Sequence, residues 1–253
     1  MLDRGIQSRW IIGACAAVVM AALVGAACES QGMSPYGPVE RDGTPVTVGS
    51  GTAYAYVVNG SNGPASVGVA LSQAALAGLP ATDTMWTLPL PAGVTVPPFD
   101  HVMINWNAQG HPPGPYMLPH FDVHFYTITP ATQAAIPGGS DTLTVPSSYV
   151  PRDYVSTVES APDMGVHWID TTSAELHGHP FDRTFVYGFS RGTLAFLEPM
   201  VTRAFLASQP SVSDTIRQPQ AFAQAGRYPA RYRVYADART NTVRVELDSL
   251  TAR

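Results

Sequence analysis

The chain has 253 residues and a formal net charge of −5, and only 13% of its residues are charged, against about a quarter in an average soluble protein. All 14 basic residues are arginine and none forms a basic cluster, so the composition argues against a nucleic-acid partner. The 22 glycines and 23 prolines favour many short strands joined by tight turns over long helices. The length suits one large domain with its own core.

The first 28 residues have the pattern of an export signal. Arg4 and Arg9 precede an uncharged apolar run from 11 to 27, which ends in Gly-Ala-Ala before Cys28. Small residues before a cysteine resemble a bacterial lipobox, in which the cysteine is acylated and anchors the protein to a membrane. Cys15 lies inside the apolar run, so Cys28 has no partner for an internal disulfide. We predict that Cys28 is the lipidation site.

This leader places the protein in the cell envelope. We expect a lipid-anchored protein, on the periplasmic face of the outer membrane if the cell has two membranes. The alternatives are an ordinary signal peptide cut near Ala27 and an uncleaved anchor helix. Residues 29 to about 50 are rich in Gly, Pro and polar side chains and predict a flexible tether. Residues 51–253 then form a single domain.

Alternating apolar and polar residues predict that this domain is mainly β. A hairpin is expected from 53–59 and 65–71, around a turn-forming Asn-Gly-Ser-Asn-Gly cluster. Further strands are predicted at 84–90, 101–106, 120–128, 165–170, 184–188 and 193–198. Short helical turns are expected at 72–77 and 130–136, a helix at 199–208, and a closing hairpin from 231–236 and 242–247. We predict a single antiparallel β-barrel or sandwich with one or two short helices.

The segment 119–126 carries the clearest chemical signal. At a period of two it divides into an apolar face (Phe121, Val123, Phe125) and a chemical face (His120, Asp122, His124, Tyr126). Buried imidazoles and carboxylates need partners, because an unpaired buried polar group costs about 1–3 kcal/mol, and a metal ion is one such partner. On a straight strand His120 and His124 lie about 13 Å apart, so one shared ion would require a bulge or bend; otherwise they serve different sites.

Other segments offer further ligands for a metal. His111 lies in a proline-flanked loop, His167 on another predicted strand, and Glu198 ends an otherwise apolar row of side chains. The predicted metal ligands are His111, His120, His124, His167 and Glu198, supported by Asp122, Asp170 and Tyr126 as hydrogen-bond partners. The cofactor would be a divalent transition metal, with zinc, copper, manganese and iron not distinguished. The alternative is that these histidines are structural.

Three histidines have simpler interpretations. His101 follows Asp100 and suits a hydrogen-bonded pair, while His177 and His179 form a loop His-Gly-His that is typical of solvated side chains. The sequence 188–192 fits G-x-S-x-G, the nucleophile elbow of α/β-hydrolases. A strand-like run follows it, and no histidine occurs beyond His179. We therefore predict a hairpin turn there, and not a catalytic serine.

Four blocks of the sequence resemble, in the same order, a bacterial family of unknown function whose structural prototype comes from Thermus. The blocks are 110–114 (GHPPG), 119–126 (PHFDVHFY), 165–168 (GVHW) and 198–200 (EPM). The resemblance spans roughly residues 95 to 206 and implies a β-rich exported domain, but it supplies no reaction. Histidines and a glutamate on neighbouring strands are also the ligand types of cupin barrels, although the cupin spacing is absent.

Three functions are consistent with these patterns. The first is a metal-binding β-barrel lipoprotein, which would be a metalloenzyme if the ion keeps an open coordination position. The second is a non-catalytic binding or assembly module of the cell envelope, in which the histidines form a structural network. The third is a small-molecule pocket lined by Trp106, Tyr126, Trp168 and Tyr187. Homo-oligomerisation stays open, and the sequence identifies neither metal nor substrate.

Overall fold

The computed structural model describes residues 38–112, 114–140 and 144–253, and these residues form two antiparallel sheets. Sheet A contains β1 (Val39–Asp42), β2 (Val46–Val48), β3 (Gly51–Gly60), β4 (Gly63–Ser72), β13 (Ser211–Thr215), β14 (Arg227–Asp237) and β15 (Thr242–Ala252). Sheet B contains β5 (Thr84–Pro89), β6 (His101–Asn107), β7 (His120–Tyr126), β8 (Gly139–Ser140), β9 (Tyr154–Ala161), β10 (Gly165–Asp170), β11 (Arg183–Ser190) and β12 (Thr193–Thr202). The predicted export signal and lipobox, with Cys28, lie outside the described residues.

The helical elements are short. The α-helices of the described residues are α1 (Pro130–Gln133) and α2 (Arg203–Ala207). Single 3₁₀ turns occupy Gln73–Leu76, Gly114–Tyr116, Ser147–Tyr149 and Ala174–His177. Among the described residues, no helix has the length and apolar character needed to cross a bilayer.

Each sheet ends in two different edge strands. The order in sheet A is β1-β3-β4-β15-β14-β13, with β2 also pairing with β3, and the order in sheet B is β5-β6-β7-β12-β11-β10-β9-β8. Neither sheet closes on itself within the described residues. The architecture is therefore a sandwich, and the barrel alternative was wrong. Hairpin connections between neighbouring strands, such as β3–β4, β11–β12 and β14–β15, account for much of this order.

The main core lies between the two sheets, where the inward residues of both share one buried cluster. Sheet A contributes side chains such as Val57 and Val245, and sheet B contributes Val123, Phe125 and Leu197. Because side chains alternate along a strand, the residues between these inward positions face the outer side of sheet B. The chemical face of β7 is therefore on the outer side of sheet B.

The outer side of sheet B is also largely buried, and it carries two small apolar clusters. One consists of Met103, Tyr126, Ala195 and Phe196. The other consists of Tyr116, Phe181, Val186 and Met200. Polar side chains on this face are thereby removed from water without joining the main core, and this sets the environment of the candidate site.

Two segments differ from the sequence-based expectation. Part of the predicted tether at 29–50 instead forms β1 and β2, which pair with β3. Glu40 in β1 accepts two bonds from the buried guanidinium of Arg244, at 2.7 and 3.0 Å from Nη1 and Nη2. A buried arginine needs such a carboxylate, and sequence composition alone does not reveal this long-range pair.

The helix expected at 199–208 is shorter than predicted. β12 continues through Pro199, which pairs with Phe185 of β11, and α2 begins only at Arg203. Thr202 caps the helix, since its Oγ1 accepts a bond from the backbone N–H of Phe205 at 3.2 Å. Pro199 therefore lies inside a strand, and not at the first position of the helix.

The turn between β11 and β12 confirms the hairpin predicted for the G-x-S-x-G segment. Ser190 ends β11 and Thr193 begins β12. The two turn residues, Arg191 and Gly192, have positive φ values of 51° and 78°, as a two-residue hairpin turn requires. No helix follows Ser190, so this serine has none of the geometry of a nucleophile elbow.

Gly188 leaves space for a buried aromatic ring. It lies opposite His167 on one side and Phe196 on the other. A Cβ built on Gly188 would lie 2.1 Å from the ring of Phe196, which is far too short for two non-bonded carbon atoms. The glycine therefore permits this ring to lie flat over β11, on the outer side of sheet B.

We predict that Gly188→Ala lowers the free energy of unfolding by about 1–3 kcal/mol, because the new methyl group would force Phe196 out of its position. Chemical denaturation would measure the change. Gly60→Ala is the control: its added Cβ would make only an ordinary contact of 3.5 Å with Ala65, and we expect a change within about 0.5 kcal/mol. Equal losses in the two variants would contradict the steric role of Gly188.

Candidate metal centre

The polar residues of β7 lie in register with polar residues of β6. Asn107 lies opposite His120, and Asn105 lies opposite Asp122. His120 and His124 are completely buried and Asp122 is 5% exposed. A polar band thus runs along the outer side of sheet B, on the same face as the two apolar clusters.

The inner triad consists of His124 on β7, His167 on β10 and Glu198 on β12. The Nε2 atom of His124 lies 3.5 Å from Oε1 of Glu198, and Nε2 of His167 lies 3.5 Å from Oε2. One ligand atom from each residue lies within 4.8 Å of the others. Glu198 is 1% exposed, whereas the side chain of His167 is 22% exposed. Strands β7 and β10 thus bring one imidazole each to the carboxylate on β12.

Aromatic rings hold the imidazoles of the inner triad. The ring of Phe196 contacts His124 edge-on at a centroid distance of 4.6 Å and His167 at 5.2 Å. Tyr126 stacks on His124 at 5.7 Å. These contacts restrict the rotation of both histidines, so the ring that fills the space above Gly188 also orients the inner triad.

The outer triad consists of His111, His120 and Asp122. Nε2 of His120 lies 3.0 Å from Oδ1 of Asp122, and Nε2 of His111 lies 3.6 Å from Oδ2. Potential ligand atoms of these residues also lie within 4.8 Å of one another. Asn107 donates a hydrogen bond from Nδ2 to Oδ2 of Asp122 at 2.7 Å. The five predicted ligands are therefore divided between two triads.

Backbone carbonyls set the tautomers of the outer histidines. Nδ1 of His111 lies 2.9 Å from the carbonyl oxygen of Pro112, and Nδ1 of His120 lies 2.6 Å from that of Leu118. A carbonyl oxygen only accepts, so each Nδ1 must carry the hydrogen. In the neutral ring, each Nε2 then presents its lone pair toward Asp122. This is the orientation that metal-ligating histidines adopt.

Several buried polar atoms of the band have no hydrogen-bond partner among the described residues. They are Oδ1 of Asn105, Oδ1 of Asp122, both ring nitrogens of His124, and Oε2 of Glu198. Such atoms are rare in native proteins, and each requires an explanation such as a bound ion or water. Their concentration in the two triads marks this part of sheet B as the candidate site.

Burial sets the protonation of the inner triad. Desolvation lowers the pKa of His124 to about 3 and that of His167 to about 4, so both imidazoles are neutral at pH 7. Desolvation, assisted by the negative charge of Asp122, raises the pKa of Glu198 well above its usual range. Without a cation, the inner triad therefore holds two neutral imidazoles beside a carboxyl group whose ionised form is disfavoured.

The outer triad has the opposite electrostatic character. Burial alone would raise the pKa of Asp122, but the hydrogen bonds that His111 and His120 donate in their protonated forms, together with the charge of His120, keep it well below its usual value. Burial likewise opposes charge on His111, yet its hydrogen bond to Asp122 and the charge of that residue raise its pKa. Asp122 thus remains ionised, and its charge also acts on the inner triad.

Two predicted supporting residues have other partners. Asp170 forms an ion pair with Nε of Arg217 at 2.9 Å and accepts a hydrogen bond from Thr172, so it does not orient an imidazole. The hydroxyl of Tyr126 donates to the carbonyl oxygen of Asp163 at 3.0 Å. Asp122 proves to be a member of the outer triad, and not a residue behind it.

The remaining histidines fit their simpler interpretations where the structure shows a partner. Nδ1 of His101 lies 3.0 Å from Oδ1 of Asp100, and its Nε2 lies 2.8 Å from Oε1 of Gln133. Nε2 of His177 lies 2.9 Å from the carbonyl oxygen of Thr171. The proposed aromatic pocket does not form. Trp106 and Tyr187 belong to the main core, while Tyr126 lies on the outer side of sheet B.

Sequence reasoning did not identify Asn105, Asn107, Phe196 and Gly188 as parts of the site. The two asparagines were detectable, because alternation from His101 places both on the chemical face once β6 pairs with β7. Phe196 and Gly188 carry no chemical signal, and their role depends on the register of β10, β11 and β12.

We predict that the metal-free protein loses stability as pH falls below about 6.5. In the unfolded chain, imidazoles bind protons near pH 6.5, whereas His124 and His167 stay neutral in the folded state down to about pH 3 and 4. The unfolded state then binds more protons, and each histidine removes roughly 1 kcal/mol per pH unit. The raised pKa of Glu198 has the opposite effect. At pH values above the ordinary pKa of glutamate, the folded state holds a proton on Glu198 that the unfolded chain has released, so a fall in pH favours folding. This offsets part of the histidine effect.

The measurement is the free energy of unfolding between pH 6.5 and 4.5 for chelator-treated protein. His124→Gln should reduce the slope by about 1 kcal/mol per pH unit, and His179→Gln, at an exposed loop position, should leave it unchanged. An identical slope in wild type and His124→Gln would show that His124 is not held neutral.

Comparison with known proteins gives one family match. Residues 60–106 match a family model described as "TTHB210-like: Hypothetical protein TTHB210". No match was found among curated proteins or solved structures. The matched segment ends before the outer triad and covers β4, β5 and most of β6, so the sequence blocks around the histidines lie outside it. The match supports an uncharacterised family with a Thermus prototype.

Proposed function

We propose that this protein binds a divalent transition metal at the inner triad, as an exported β-sandwich anchored to a membrane through Cys28. The observation that carries the metal proposal is the convergence of two neutral imidazoles on one buried carboxylate, with both Nε2–oxygen distances at 3.5 Å. A cation between these three groups would supply the positive charge that the ionised carboxylate of Glu198 needs in its buried position.

The spacing supports this proposal. Two ligand atoms at about 2.0–2.1 Å from a tetrahedral zinc ion lie about 3.3 Å from each other. The two distances of 3.5 Å are close to this value and longer than a good N–H···O hydrogen bond of about 2.9 Å. Small side-chain movements would therefore complete the coordination, since the aromatic contacts of Phe196 and Tyr126 already orient the rings.

Three protein ligands leave a fourth position for water or substrate, which is the arrangement of catalytic zinc sites. The partial exposure of His167 provides a side from which solvent can approach. An ion held there would act as a Lewis acid or lower the pKa of a bound water. A metal-dependent hydrolytic or Lewis-acid reaction is therefore the catalytic form of the proposal.

Two histidines with one carboxylate suit zinc and ferrous iron, and imidazole ligands also suit copper. Neither triad contains a sulfur ligand, so the donor set does not favour cuprous copper. We choose zinc as the first test ion because it needs no control of oxidation state.

A second candidate function is a non-catalytic envelope module in which the inner triad is a structural network. The raised pKa of Glu198 favours it, because a protonated carboxyl group can donate to one neutral imidazole without any metal. In that case the site contributes to stability and specificity of the fold, and metal content does not depend on it.

We predict that protein made without a histidine tag and equilibrated with zinc loses one equivalent of bound metal upon His167→Ala. Elemental analysis after removal of free ions would measure it. His179→Ala is the matched control because this histidine is exposed, and its metal content should equal that of the wild type. Circular dichroism and thermal unfolding confirm that each variant is folded. Unchanged metal content in folded His167→Ala would favour the structural network.

We also predict that cells given an alkyne-modified fatty acid label the full-length protein, because acylation of Cys28 makes the lipid covalent. Gel fluorescence after coupling to a dye would detect the label. Cys28→Ser should remove it, whereas Cys15→Ser should retain it. Equal labelling of the two variants would assign the lipid to another position.

A further inference from the structure

We infer that the outer triad is a second, separate cation site, so that the polar band of sheet B holds two metal ions. This goes beyond the proposed function, which concerns only the inner triad. Both triads contain two histidines and one carboxylate, and this ligand set with open positions is typical of zinc and non-haem ferrous sites. The class of ligand is a divalent transition-metal ion at each triad.

The first support is the geometry of the outer triad. The distances of 3.0 and 3.6 Å from the two Nε2 atoms to the oxygens of Asp122 lie on either side of the spacing of about 3.3 Å expected around tetrahedral zinc. The two imidazole rings lie with their centroids 4.8 Å apart. One ligand atom from each of the three groups lies within 4.8 Å of the others, which is close enough for one ion to contact all three after small side-chain movements.

The second support is the direction of the lone pairs. Nδ1 of His111 and Nδ1 of His120 both donate to backbone carbonyls, which leaves two Nε2 atoms facing one carboxylate. A lone pair facing a carboxylate oxygen is repulsive unless a cation lies between them. Two protons would place two imidazolium ions against one carboxylate in a mostly buried position, whereas one divalent ion satisfies all three groups.

A hydrogen-bonded network is the competing interpretation of the same residues. Nδ2 of Asn107 lies 3.3 Å from Nε2 of His120 and 2.7 Å from Oδ2 of Asp122. The shorter contact indicates that the amide of Asn107 donates mainly to the carboxylate of Asp122. Oδ1 of Asp122 is buried, and Nε2 of His120, 3.0 Å away, cannot donate to it while that ring is neutral and carries its hydrogen on Nδ1, so the network leaves an acceptor that a cation would use.

The outer triad has its own route to solvent. The side chain of His111 is 38% exposed, and the loop that follows it carries two exposed apolar residues, Met117 and Leu118, which are 52% and 49% exposed. A ligand of the outer ion would therefore approach along this loop, beside apolar surface. The inner triad is reached instead past His167, so the two sites can be occupied independently.

The strand geometry separates the two ions. Asp122 and His124 are two positions apart on β7, so their Cα atoms are separated by about 6.6 Å along the strand. Two-metal clamps hold their ions about 3.5–4 Å apart. The outer and inner ions therefore form two mononuclear sites and not a bridged pair, and removing the ligands of one should leave the other occupied.

The test is zinc stoichiometry of the full domain without a histidine tag, measured by elemental analysis after removal of free ions. We expect two equivalents in the wild type, one in His111→Ala and one in His167→Ala, with two retained in His179→Ala. His111 is a partly exposed loop residue, so its replacement should not prevent folding, and thermal unfolding would check this.

The outcomes separate the two proposals. One equivalent in the wild type that His167→Ala removes and His111→Ala retains would overturn the outer site and leave the proposed function intact. Two equivalents retained in His111→Ala would also overturn it. No bound zinc in any protein would overturn both. X-ray absorption of the zinc-loaded protein adds a second test, because scattering between metals at 3.5–4 Å would contradict two separate sites.

Discussion

The structure depends on one electrostatic constraint, which is the burial of two carboxylates on the outer side of sheet B, beside two buried and two partly exposed imidazoles. Two apolar clusters share this face, and Asp122 and Glu198 are only 5% and 1% exposed, so bare charge there is strongly disfavoured. Each carboxylate needs positive charge or hydrogen-bond donors close by. Asp122 receives donors from Asn107 and has two histidines facing it, whereas Glu198 has only neutral imidazoles and a disfavoured ionised form.

The two triads solve this constraint differently. In the outer triad, backbone carbonyls fix the imidazole tautomers and the carboxylate stays ionised. In the inner triad, aromatic contacts fix the rings and burial suppresses charge on all three members. If a cation binds, the first arrangement already has the charge to receive it, whereas the second would have to change its charge state. The difference follows from position, since His111 comes from a loop and the inner ligands come only from strands.

Much of this arrangement follows from local sequence. Alternation within 120–126 correctly placed three site residues on one face, and the estimated 13 Å between His120 and His124 correctly indicated that they serve different groups. Hairpins such as β14–β15 were also predictable, because each is formed by neighbours in the chain. The triads themselves were not, since His167 approaches Glu198 only through the register of β10, β11 and β12. The ion pair between Asp170 and Arg217 could not be identified either, because the two residues are distant in sequence.

The strand β12 shows why a proline can mislead. Its isolated signal is that of a helix start, but Pro199 is paired with Phe185 inside sheet B. On its other side β12 pairs with β7, and there the ladder is interrupted at Pro199. The pair Leu197–Phe125 is followed by Met200–Asp122. The missing N–H removes a ladder bond at the level of Glu198 and His124.

That interruption has a consequence for ion preference. Where a ladder bond is absent, less backbone hydrogen bonding fixes the separation of β7 and β12 than at the pairs on either side. If an ion binds the inner triad, the carboxylate and imidazole on these strands would adjust more easily to ions of different radii. Size would then discriminate weakly, and the preferred ion would depend on donor chemistry and on metal supply in its compartment.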